Sequence, residues 1–174
     1  MNSRCFRNRL NAFSLTEAII VSIIVIVVVG TIAGNWNKLT SYLNVSDTEK
    51  ALLEMRSDIT QTYAGSIGFS DLTNDVVLKA KLVPHSMLRG DTIVNAWGGE
   101  VTFSPTDGGE SFSITFTEIP QGECVKLSMF QPSAWETVEV NGSELAEDQR
   151  TVGQVSGLCI EGKNTLIFTS SRSY

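Results

Sequence analysis

Three kinds of side chain in this sequence have chemistry to offer: thiols, one imidazole, and a carboxylate set beside an apolar run. The thiols are Cys5, Cys124 and Cys159, the imidazole is His85, and the carboxylate is Glu17. Cys124 and Cys159 can close a disulfide or supply half of a metal site. One distant histidine is a poor complement to two cysteines, so the disulfide is the simpler reading. Closing a loop of that length would stabilise the fold by roughly 4 kcal/mol. His85 follows Pro84 in a loop-like stretch and reads as a solvated side chain. Asp107 and Glu110, in "TDGGE", read as a solvated turn ahead of a calcium site. No Ser-His-Asp or Cys-His arrangement has workable spacing. The chain is therefore read as a structural protein and not an enzyme, with no cofactor and no metal.

Glu17 stands at the mouth of "AIIVSIIVIVVVG", where the eleven residues Ile19–Val29 hold ten β-branched apolar side chains broken only by Ser22. From Ala18 to Asn37 nothing is charged, which is 20 residues, or about 30 Å of helix, the thickness of a hydrocarbon core. In water such a run favours a strand. In lipid the backbone must satisfy its own hydrogen bonds, and a helix wins. Trp36 and Lys38 sit where interfacial anchors belong. Ahead of the run, "MNSRCFRNRLNA" carries Arg4, Arg7 and Arg9 and no acid. That basic start signals membrane targeting and keeps its own end cytoplasmic. The rest of the chain then faces an oxidising compartment, which suits a Cys124–Cys159 bridge. A net charge of −6 argues against direct nucleic-acid binding, which needs clustered Lys and Arg.

Three arrangements of the amino-terminal region compete. A secretory signal peptide would be cut after Ala33, before Gly34. A single-pass anchor would keep Met1. A leader cut on the cytoplasmic side, after Ala12, would leave the apolar helix attached to a new amino terminus at Phe13. An anionic side chain within a bilayer costs about 2.5–3.5 kcal/mol on insertion scales, and only the third arrangement gives Glu17 something in return. A free Phe13 amine can meet a neighbouring helix's Glu17. At about 4 Å and an effective dielectric of about 20 the pair attracts by about 4 kcal/mol. An unpaired Glu17 would penalise mis-registered packing.

The string "FSLTEAIIV" resembles the class III leader junction of type IV prepilins, with Phe13 first and Glu17 fifth after the cut; Ala12 stands where the family usually has Gly. "NAWGGEVTFSP", Asn95 to Pro105, resembles the Asn-Pro-aromatic-Gly-Gly turn and strand of type IVb pilins, with Ala96 in place of the Pro. "ITFTEIPQGECVKL", Ile114 to Leu127, is similar to the type IVb element in which a strand leads into a helix bearing the first cysteine of the disulfide. The resemblance implies the major pilin of a thin adhesive or conjugative pilus. It implies cleavage between Ala12 and Phe13 by a prepilin peptidase, N-methylation of Phe13, and Glu17 as the assembly glutamate. It implies as partners other copies of the chain, an inner-membrane assembly platform and a cytoplasmic ATPase. The precursor would sit in the inner membrane with its head in the periplasm, and the assembled pilus would be extracellular. The roles expected are adhesion, aggregation or conjugative mating contact. The alternatives are a secreted or anchored binding or sensor protein, and a minor pilin or pseudopilin.

The remaining elements follow from pattern. Leu52, Met55, Ile59 and Tyr63 make one apolar stripe at helical spacing, so one helix is expected from about Phe13 to Ala64, ended by Gly65 and Gly68. Gly30 and Gly34 form a small-xxx-small pair, which lets helices approach closely or marks a place where the helix loosens. A short helix capped by Ser70 or Thr73 and a loop near Pro84 come next. "EVTFS" and "SFSITFTEI" alternate as a hairpin around "TDGGE". A helix is expected from about Pro120 to Met129, and strands at "ETVEV" and "NTLIFTSS", with a turn at Asn141-Gly142. The fold expected is α+β: a long N-terminal helix, half transmembrane and half amphipathic, packed on an antiparallel sheet with one disulfide. Its parts would be a leader at 1–12, a transmembrane and assembly helix at 13–37, and a head at 38–174.

Overall fold

The computed structural model describes residues 15–171; within the first helix the side chains of 15 and 30–39 lie outside that description. Helix α1 is Leu15–Thr62. The chain divides into two compact units, Met1–Thr40 and Ser41–Tyr174, and α1 contributes to both.

In the first unit, all ten β-branched side chains of Ile19–Val29 are exposed, at 49% to 70%. Successive residues are about 100° apart on a helix, so a continuous run leaves no polar face. The polar exception, Ser22, donates its hydroxyl to the Ala18 carbonyl at 2.7 Å, so its donor is used within the helix. Among the described residues no helix is long and apolar enough to cross a membrane. The leader 1–12, Phe13 and the side chains of 30–37 lie outside the described residues.

In the second unit, α1 turns an apolar stripe inward. Val45, Thr48, Leu52, Met55 and Ile59 are buried, and Tyr63 continues the row. The stripe packs on a five-stranded antiparallel sheet built from β3 (Val101–Thr106), β4 (Ser111–Ile119), β5 (Thr137–Val140), β6 (Ser143–Ala146) and β7 (Asn164–Ser171). The strand order is β3-β4-β7-β5-β6. The last strand is thus the middle one, and it ties the hairpin β3–β4 to the hairpin β5–β6. Strand β7 alternates as a half-buried strand should, with Asn164, Leu166, Phe168 and Ser170 buried. Trp135 packs on Phe168 with ring centres 5.2 Å apart, and Phe69 on Phe112 at 4.9 Å. Arg56 of α1 reaches the same face, donating from Nε to Ser170 Oγ at 2.9 Å and lying over the Trp135 ring.

Between α1 and the sheet come α2 (Asn74–Lys79) and a small hairpin, β1 (Leu88–Arg89) with β2 (Thr92–Ile93). Of the two caps expected for α2, Thr73 serves, accepting from Val76 N–H at 3.3 Å. Helix α3 (Gln121–Ser128) starts one residue later than expected, with Pro120 as its N-cap. The small hairpin, β6 and helix α4 (Val152–Leu158) go beyond the elements expected. The sequence of α4, "VGQVSGL", has two glycines and no apolar period. It is held by the Thr151 cap, which accepts from Gln154 N–H at 3.3 Å, and by the single buried Val155.

Candidate functional site

In the first unit, Glu17 occupies the first turn of α1, where the helix dipole favours an anion. Gly30 and Gly34 fall within α1. Ala12 and Phe13 lie outside the described residues.

In the head, Cys124 and Cys159 are bonded, 35 residues apart in sequence and 6.0 Å between Cα atoms. Both are buried. Cys124 lies on α3 and Cys159 caps α4. The chain they enclose contains Trp135, β5, β6 and Arg150. The Arg150 side chain is 5% exposed, and its Nη2 donates to the carbonyls of Pro132 at 2.6 Å and Trp135 at 2.7 Å. It fixes the backbone that delivers Trp135 to the core. The carboxamides of Gln121, Asn141 and Asn164 hold the backbone beside Cys159.

The "NAWGG" turn is built by Asn95. Its Oδ1 accepts from Trp97 N–H at 2.9 Å and Gly99 N–H at 3.0 Å, and its Nδ2 donates to the Thr117 carbonyl at 2.6 Å. Position 99 has to be glycine: a Cβ there would lie 1.9 Å from the Thr117 carbonyl oxygen. The turn therefore locks the entry of β3 against β4.

Three titrating groups in the head are displaced by burial. Burial pushes the Glu49 carboxyl up, with Lys126 pulling the other way. It lowers Arg56. Burial together with the neighbouring Asp71 pushes the Tyr63 phenol up to about 12. A groove of about 730 Å³ lies between α1 and the loop before β3, lined by Asp47, Lys50, Glu54 and Arg89 among others. His85 is exposed at the start of a single 3₁₀ turn. Among the described residues no group of three His, Cys, Asp or Glu side chains is placed to hold a metal.

Of the residues singled out in the sequence, the structure brings together Cys124 and Cys159, and joins the Asn95 turn to β4. Sequence reasoning missed Gln121, Arg150 and Asn164, and saw in Asn141 only a turn. One signal was available: asparagine is depleted in strands, yet Asn164 opens β7.

The head of known pilins is built in the same way. The crystal structure of the type IV b pilin from Salmonella typhi is similar over 70% of this chain and 94% of that one, at 22% identity and a TM-score of 0.55. TcpA, a type IV pilin from Vibrio cholerae El Tor biotype, is similar over 74% and 99%, at 14% identity and a TM-score of 0.54. No curated protein matches by sequence. The fold is that of a type IV b pilin. A model of the PilS N-terminal family matches residues 43–171, and the chain belongs to that family. It is a pilin subunit.

Proposed function

We propose that this chain is the precursor of a filament subunit, a type IVb-like pilin that polymerises through its apolar helix. One observation supports this most: residues 19–29 of α1 expose apolar side chains all round, with Glu17 one turn before them. A helix of that kind is stable only against lipid or against other such helices. In this reading, a prepilin peptidase cuts between Ala12 and Phe13 at the inner membrane, and Phe13 is N-methylated. Residues 13–37 hold the subunit in the membrane with the head, 38–174, in the periplasm. An assembly platform and its ATPase then move subunits into the fibre. There each Phe13 amine pairs with a neighbour's Glu17, and Gly30 and Gly34 let the helices pack closely. A head-to-tail contact of this kind generates an open filament and not a ring. The fibre serves adhesion, aggregation or mating contact outside the cell.

The mass and amino-terminal sequence of the mature protein test this. A methylated Phe13 is expected. A terminus at Gly34 would make the chain a secreted protein, and an intact Met1 an anchored one; either result ends the proposal. Abundance in sheared surface fractions then separates a major pilin from a minor one.

A further inference from the structure

Three consecutive backbone carbonyls beside the second cysteine are each held by a side-chain carboxamide from a different element. Asn141, in the β5–β6 turn, donates from Nδ2 to the Leu158 carbonyl at 2.9 Å. Gln121, the first residue of α3, donates from Nε2 to the Cys159 carbonyl at 2.9 Å. Asn164, the first residue of β7, donates from Nδ2 to the carbonyls of Ile160 and Ile119, both at 3.0 Å. Its Oδ1 accepts from Ile160 N–H at 2.8 Å and from Asn141 Nδ2 at 2.7 Å. Asn141 Oδ1 in turn accepts from Thr165 N–H at 2.9 Å. Asn164 is 1% exposed, and both its donors and both its acceptor sites are filled. A buried polar network with every member satisfied is rigid, and one with a member removed is costly.

None of these bonds uses a sulfur atom. Two of the carboxamides stand on elements anchored elsewhere: β7 is paired along its length with β4 and β5, and the Asn141 turn closes the paired strands β5 and β6. The clasp therefore has its supports whether or not the bridge exists. We propose that the clasp forms without the disulfide and presents the Cys159 thiol to Cys124 before oxidation, so that the bridge seals a contact already made. Gln121, Asn141 and Asn164 are then positioning residues for the bridge. In an unfolded chain the two thiols would meet at an effective concentration of the order of millimolar; held in place, they meet at a far higher one. The oxidant is a small-molecule or protein disulfide. One cysteine thiolate attacks it and releases one thiol. The second cysteine attacks the mixed disulfide, forming Cys124–Cys159 and releasing the other thiol. The oxidant takes up the two electrons, and the two protons lost by the cysteines end on the released thiols or in solvent.

The test uses the full chain in detergent, equilibrated in glutathione buffers, with the effective concentration of the Cys124–Cys159 pair as readout. Gln121→Ala and Asn141→Gly should each lower it by about tenfold, the equivalent of about one lost hydrogen bond at a buried carbonyl. Glycine suits position 141, where φ is 50°, so that variant keeps the turn. Val77→Ala, in α2, should lower the melting temperature and leave the effective concentration unchanged. In a Cys124→Ser/Cys159→Ser chain, the Ile160 N–H should still exchange slowly with solvent. Effective concentrations equal to the parent's in both clasp variants would overturn the proposal. So would fast exchange at Ile160 in the double-serine chain, whether the sheet around it stays protected or is lost.

Discussion

Residues Ile19–Val29 and Val45–Ile59 lie on the same helix, α1, and draw on the same kinds of apolar residue. The first stretch leaves every β-branched side chain at least 49% exposed, while Leu52, Met55 and Ile59 in the second are at 0%. Periodicity is what separates them. In the second stretch apolar residues recur every three or four positions, with Asp47, Glu49, Lys50 and Glu54 between them, so one face has a partner and the other has water. That partner is the sheet of the same chain. The first stretch has no polar face, and a single head could cover only one side of it. Covering ten such side chains is worth on the order of 20 kcal/mol, a stabilisation that has to come from lipid or from other helices. The head thus folds on its own chain's surface, and the stem is completed by assembly.

The sharpest way to break this contrast is Glu17→Ala. The head should fold and the subunit should reach the membrane in normal amount, while surface fibres disappear. Each Phe13–Glu17 pair lost is worth about 4 kcal/mol, nearly a thousandfold per contact. Normal fibre yield in a shearing assay would remove the register argument. Next in size is Cys159→Ser, which should cost the head roughly 4 kcal/mol and lower subunit abundance on immunoblots; an unchanged level would show that the bridge matters little to the head.

A pair of matched substitutions sharpens the comparison further. Ile59→Ala should lower head stability by about 2–5 kcal/mol, read as a fall in the melting temperature of the full chain in detergent. Ile24→Ala should leave that temperature alone and make fibres easier to dissociate. If both moved the melting temperature equally, the two stretches would not be energetically separate. The smallest effect is expected from Glu49→Gln. Burial raises the folded-state pKa of Glu49, so the folded head binds the proton more tightly than the unfolded chain. Ionised Glu49 therefore weakens the head, and this stability is lost as pH rises from the ordinary carboxylate pKa through the raised one. The glutamine variant should melt slightly higher at pH 7, and the gap should close in acid. A gap that widened in acid would reverse the assignment.

Much of the head was legible in the sequence because its signals are local. The stripe ending at Tyr63, the Thr73 cap, the hairpin around "TDGGE" and the alternation of "NTLIFTSS" each depend on residues within a few positions of one another. Helix α4, with its two glycines, and the short strand β6 carry no such signal; both are held by the enclosure between Cys124 and Cys159. Asn141 shows the difference within one residue. Its turn-forming tendency was plain from Asn-Gly, but its bonds to Leu158 and Asn164 join segments far apart in sequence.

By itself, the sequence determined what each segment requires of its surroundings: an apolar medium for Ile19–Val29, one apolar face for Val45–Ile59, an oxidised partner for Cys124. Those requirements are properties of side chains and their period along the backbone. Only the tertiary structure decided which distant group meets each requirement. It set β7 in the middle of the sheet, Arg150 under the Pro132 and Trp135 carbonyls, and three carboxamides around Cys159. Such pairings are fixed by the packing of the whole head, because a buried polar atom must find its partner wherever the fold brings one within reach.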